Sequence, residues 1–143
     1  MNQQSKTIQE LVRINFERMI SFDKASRITK DSDLRTYFET KAEESERNID
    51  ELQQVAFAEK SNIEDTQSPT HLPACLLFDR ALAKNKADQI IHSAKRVEKH
   101  MMEWYQKVIE GLSNVPTELK ALITSQMTTI RNGQSMLQQL ITV

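Results

Sequence analysis

Apolar residues recur along this chain at helical spacing in four long blocks and one short one. In the first block Ile8, Leu11, Val12, Asn15, Phe16, Met19, Phe22 and Ala25 share a face, which predicts a helix over about 5–29. Lys30-Asp31-Ser32 is a short polar turn, and Asp31 or Ser32 is placed to cap the next helix. The second stripe, Leu34, Phe38, Ala42, Ser45, Ile49, Leu52 and Ala56, predicts a helix over about 33–60. So short a connection makes the two helices antiparallel neighbours. Residues 61–73 are polar and hold two of the three prolines, which predicts a linker crossing the bundle. A short helix follows over about 74–84, with Leu76, Leu77, Phe78 and Leu82 packing down. The third long stripe runs over about 86–112 with Ala87, Ile90, Ile91, Ala94, Val97, Met101, Tyr105, Val108 and Leu112 inward. Gly111 and Ser113-Asn114 end it, and Pro116 opens a fourth helix that reaches about residue 142. Its inward set is Leu119, Leu122, Ile123, Gln126, Met127, Ile130, Leu137, Leu140 and Ile141.

The blocks repeat. Residues 34–56 align with 119–141 at an offset of about 85, pairing Leu34 with Leu119 and Leu52-Gln53-Gln54-Val55 with Leu137-Gln138-Gln139-Leu140. The preceding segments align too, Ile8 with Ile91, Asn15 with Glu98 and Phe22 with Tyr105. Two copies of a helix pair predict an all-α, single-domain chain over 1–143. Its helix pairs lie at about 5–60 and 86–142, and the crossover at about 61–85 carries the short helix. Composition agrees. In 143 residues there are 2 Gly and 3 Pro, too few breakers for the turns of a β-protein.

Charge narrows the function classes. Lys plus Arg is 19 and Asp plus Glu is 20, a formal net charge of −1. That balance argues against a nucleic-acid partner, which favours a basic face. No apolar stretch approaches membrane-spanning length, and the first six residues lead directly into an amphipathic pattern. With a single cysteine, Cys75, these features predict a soluble cytoplasmic protein.

Little in the chain carries chemistry. Glu98 interrupts the apolar stripe of the third long helix, and a carboxylate there needs partners. Asn15, Gln126, Lys41 and Tyr105 are the nearest candidates, with Lys41 as the neutralising cation. Together with Asn48 these residues form the expected core polar cluster: Asn15, Lys41, Asn48, Glu98, Tyr105 and Gln126. Glu44 lies at the core edge, whereas the other acids of its helix face outward. Gly133, costly inside a helix, predicts close helix–helix contact. His71 falls in the linker, and His92 and His100 point away from the apolar face. Cys75 reads as a buried inert thiol. No phosphate loop, nucleophilic triad or zinc spacing is present in the sequence.

Leu11-Val12 with Asn15-Phe16-Glu17 and Phe22, Ala42-Glu43-Glu44 with Glu51-Leu52, Val97-Glu98 with Tyr105, and Ile130-Arg131 occur in an order that points to a family. The chain resembles a small bacterial ferritin-like family, a domain of unknown function sometimes tied to stress responses. The resemblance implies a ferritin-like four-helix bundle. Metal sites of that superfamily take one Glu from each of two helices and a Glu-x-x-His pair from each of the other two. Three residues beyond Glu44 stands Arg47, and four beyond stands Asn48. The partner of Glu44 is Thr129, followed by Asn132 and Gly133, and Asn15 stands opposite Glu98. Only Glu98 and Glu44 remain as metal candidates, without an imidazole, which predicts a bundle with no di-iron centre and no cofactor. The expectation is a non-enzymatic structural or interaction protein, a homodimer or the partner of another protein. The alternatives are a residual carboxylate site for iron or another divalent metal, giving a metal-binding or redox protein, and a small-ligand site near Asn15, Glu98 and Gln126.

Overall fold

A computed structural model describes residues 3–58, 73–111 and 116–141. They form five helices: α1 (Gln3–Ile28), α2 (Ser32–Ala58), α3 (Pro73–Lys84), α4 (Ala87–Gly111) and α5 (Thr117–Ile141). No strand occurs among the described residues. The four long helices have 26, 27, 25 and 25 residues, each about 40 Å long at the usual helical rise.

Local chemistry sets the boundaries. Asp31 caps α2: its Oδ1 accepts from the Leu34 amide at 3.0 Å, while its carbonyl takes the first helical bond, from Arg35, at 2.9 Å. The Arg35 guanidinium donates twice to the Thr29 carbonyl, at 3.2 Å each, and closes the turn from α1. Between α3 and α4 the chain turns at Asn85, whose φ of 52° is a left-handed conformation that asparagine tolerates. Its amide caps α3 through the Ala81 and Leu82 carbonyls, both at 3.1 Å.

The long helices form a square. α1 lies beside α2 and α4, and α5 lies beside α2 and α4, so the diagonals are α1/α5 and α2/α4. Contacts fix the directions. Asn15 meets Tyr105 and Arg18 meets Glu98, so α1 and α4 are antiparallel. Asn48 meets Gln126 and Lys41 meets Gly133, so α2 and α5 are antiparallel. The diagonal helices are therefore parallel, and the end of α2 and the start of α4 lie at opposite ends of the bundle. Of the expected crossover over 61–85, the linker part before residue 73 lies outside the described residues, and the short helix is α3.

α3 packs on α1 and α4. Its buried face is Ala74, Cys75, Phe78, Ala81 and Leu82. Leu76 and Leu77, expected to pack down, are instead 48% and 38% exposed. The reason is angular: at about 100° per residue, positions 76 and 77 fall off the arc that joins 74, 78 and 81. Ala87, expected inward at the start of α4, is exposed as well. Phe78 reaches Phe22 and Phe38, with ring centroids 5.4 and 5.6 Å away, and Tyr37 extends this aromatic layer at one level of the core.

Candidate functional site: a buried ion network

Next to the aromatic layer, on the path toward Asn15, the core becomes polar. Arg18 on α1 is wholly buried. Its guanidinium forks onto Glu98 of α4, Nε to Oε1 at 2.8 Å and Nη2 to Oε2 at 2.7 Å. This bidentate geometry is the strongest arrangement available to an arginine and a carboxylate. Nη1 turns to α2, where it donates to Ser45 Oγ at 2.9 Å and to the Lys41 carbonyl at 3.4 Å. It also lies 2.8 Å from Glu44 Oε2, a charge contact without an aligned donor. Tyr37 reaches across the diagonal from α2 and donates to Glu98 Oε2 at 2.9 Å. Lys41 closes the set with a bond from Nζ to Glu44 Oε1 at 3.0 Å.

Two cations therefore face two carboxylates inside the bundle, and all four are 5% exposed or less. Burial alone would pull the Arg18 guanidinium down, but the Glu98 carboxylate beside it more than offsets that, and the net shift is upward. Burial pushes the Tyr37 hydroxyl well above its ordinary range, and the negative Glu98 adds to the effect. Tyr37 thus remains a proton donor to Glu98.

Ser45 joins this ionic half to a neutral one. Having accepted from Arg18, it donates to Asn15 Oδ1 at 3.1 Å, where Asn48 Nδ2 also donates at 3.1 Å. Asn15 Nδ2 donates to Tyr105 Oη at 2.7 Å, and the Tyr105 hydroxyl in turn donates to Gln126 Oε1 at 2.7 Å. Gln126 then donates to the Asn48 carbonyl at 3.2 Å. Burial raises the Tyr105 pKa, while the Asn15 bond acts against the rise.

The six residues of the expected polar cluster are all buried, and each joins this network. The partners differ from expectation. Glu98 bonds none of Asn15, Lys41, Tyr105 or Gln126; Arg18 and Tyr37 hold it instead. Lys41 is engaged with Glu44, and its stem lies against Gly133. A Cβ on residue 133 would come within 2.7 Å of Lys41 Cε. The glycine therefore makes room for a lysine side chain, not for a second helix backbone.

Arg18 had a sequence signal. It continues the stripe Leu11, Asn15, Phe22, Ala25 at helical spacing, and at the repeat offset its counterpart is the buried Met101. Thr129, matched to Glu44 by the repeat, is exposed. Among the other candidates, His92 is exposed, and His100 is partly exposed with Glu103 3.9 Å away. His71 lies outside the described residues. Cys75 is buried, and burial pushes its thiol up to about 12, which leaves it protonated and a poor nucleophile at neutral pH. Among the described residues no three His, Cys, Asp or Glu side chains are grouped to hold a metal ion, and no helix is long and apolar enough to cross a membrane.

Residues 3–111 match the family described as Domain of unknown function (DUF2383). The chain belongs to that family. The matched span runs from the start of α1 to the end of α4, so it contains Arg18, Tyr37, Lys41, Glu44 and Glu98. Gln126 and Gly133, on α5, lie beyond it. No curated protein and no solved structure matches the chain.

Proposed function

We propose that this member of the family is a ferritin-like bundle whose centre is held by an internal ion network in place of a di-metal site. In this reading it works in the cytoplasm through its surface, as a structural or interaction protein in a stress response, self-associating or bound to another protein, and not as an enzyme. The antiparallel square with parallel diagonals supports the ferritin-like assignment. One observation carries the rest. The guanidinium of Arg18 forks onto Glu98 and touches Glu44, the two carboxylates that a metal would need. A divalent ion there would have to displace a buried cation, and no imidazole stands by to complete its coordination. These residues do not fit a di-iron centre.

Elemental analysis tests this after anaerobic incubation of the purified protein with ferrous iron, manganese or zinc and removal of loose ions. The expected result is no retained metal. Near-stoichiometric retention that falls in Glu98→Ala would overturn the reading and restore a residual carboxylate site. Sedimentation of the same samples measures the self-association.

A further inference from the structure

The ion network comes close to the surface at Lys41. Between the first turns of α2 and the last turns of α5 lies a cleft of ≈ 420 Å³, within the size range of small-molecule pockets. Its two walls differ. The α2 wall presents the Thr36 and Thr40 hydroxyls and Lys41, whose side chain is only 6% exposed although it lines the cleft. The α5 wall presents Met136 and Leu140 with the Gln139 amide between them, and Met136 is 49% exposed. Gly133, one turn below Met136, leaves the space through which the lysine reaches this position. Hydrogen-bond donors on one side and apolar surface on the other are complementary to an amphipathic molecule with an acceptor at one edge. A buried ammonium with three donors makes a carboxylate the best acceptor.

We propose that the α2–α5 cleft binds a small apolar monocarboxylate, its acid group on Lys41 and Thr40 and its apolar body against Met136 and Leu140. Glu44 and the exposed Asp33 at the rim are the acids facing that position. Lys41 Nζ spends one donor on Glu44 Oε1, and an ammonium carries three, so donor capacity remains for a ligand in the cleft. This site is separate from the one first expected near Asn15, Glu98 and Gln126, where the polar groups are occupied by one another.

Titration calorimetry of the full chain with phenylacetate and its neutral isostere phenylacetamide tests the proposal. The acid is expected to bind about tenfold more tightly or better. Lys41→Met should erase that preference while leaving weak binding of both. Met136→Glu, on the surface and outside the ion network, should weaken the acid by about tenfold or more with the melting temperature unchanged. The proposal is overturned if the acid does not bind up to its solubility, if acid and amide bind alike, or if Met136→Glu leaves the affinity intact. It is also overturned if Met136→Glu changes only the sedimenting mass, which would make the cleft a contact between copies. Metal retention does not enter any of these readings, so failure here and failure of the metal-free reading are told apart.

Discussion

The aromatic layer of Phe22, Phe38 and Phe78 and the ionic layer of Arg18, Glu98, Glu44 and Lys41 adjoin one another, with Tyr37 serving both. Arg18 even lies over the Phe22 ring, 5.4 Å from its centroid. Yet the layers hold the bundle by different physics. The aromatic layer gains stability from area removed from water, whatever the neighbours' identities, provided the space is filled. The ionic layer loses the hydration of four charges and recovers it only if every partner is present. The first layer rewards collapse in general. The second rewards one arrangement of α1, α2 and α4.

The largest expected effect separates them. Arg18→Met leaves two buried carboxylates with one cation and should cost about 3–5 kcal/mol in urea unfolding. Phe22→Ala should cost a similar amount, about 3–5 kcal/mol, through the cavity it leaves. The rescue differs. Adding Glu98→Leu to Arg18→Met should recover most of the loss, because what remains is the neutral pair of Lys41 and Glu44 with no buried charge left over. No polar substitution elsewhere should rescue Phe22→Ala. If the double variant is no more stable than Arg18→Met alone, the contrast between the layers fails.

Glu98→Gln should lie lower, at about 1–3 kcal/mol. Glutamine keeps one oxygen for Arg18 or Tyr37, but it turns an amide donor toward groups that are themselves donors. A neutral or stabilising outcome would show that the carboxylate charge is dispensable. Gly133→Ala should change stability by less than about 1 kcal/mol. The gain in helix propensity is opposed by the loss of room for Lys41. In that background Lys41→Met should cost less than it does in the native chain, because crowding at the lysine stem is relieved while Glu44 still loses a cation, and a double-mutant cycle reads the difference directly.

The smallest effect is an alkaline slope. Folded Cys75 keeps its proton to about 12, whereas its ordinary value is 9.0. Between those values the native state holds a proton that the unfolded chain has released, so stability falls as pH rises through that window. Tyr37 and Tyr105, raised by burial, act in the same direction. Cys75→Ala should flatten the slope in urea unfolding measured across it.

The stripes, the turn at Lys30-Asp31 and the order of the helices were legible because each rests on short-range periodicity and capping. Part of the polar network was legible too, since inward amides and an inward glutamate stand out against an apolar face, but Arg18, Tyr37 and Ser45 were not among the expected members. Who pairs with whom was not legible. Arg18 sits on the α1 stripe, but its long charged side chain reads as surface until its partners are seen. Lys41 and Glu44 lie a single turn apart, and no pattern along α2 tells that Lys41 serves Glu44 while leaving Glu98 to a helix 80 positions away. Pairing across a core depends on rotamers and on space such as that above Gly133, which one-dimensional spacing does not encode.

The span shared with the family ends with α4, so every charged member of the network belongs to the shared part and α5 meets it only with Gln126 and Gly133. The last helix is thus a lid shaped to an already neutralised interior. What it supplies opposite Lys41 is space, and a side chain larger than a methyl at 133 would press on the lysine stem that reaches Glu44. Positions 41 and 133 behave as one two-letter word, in which the size of the second sets the reach of the first.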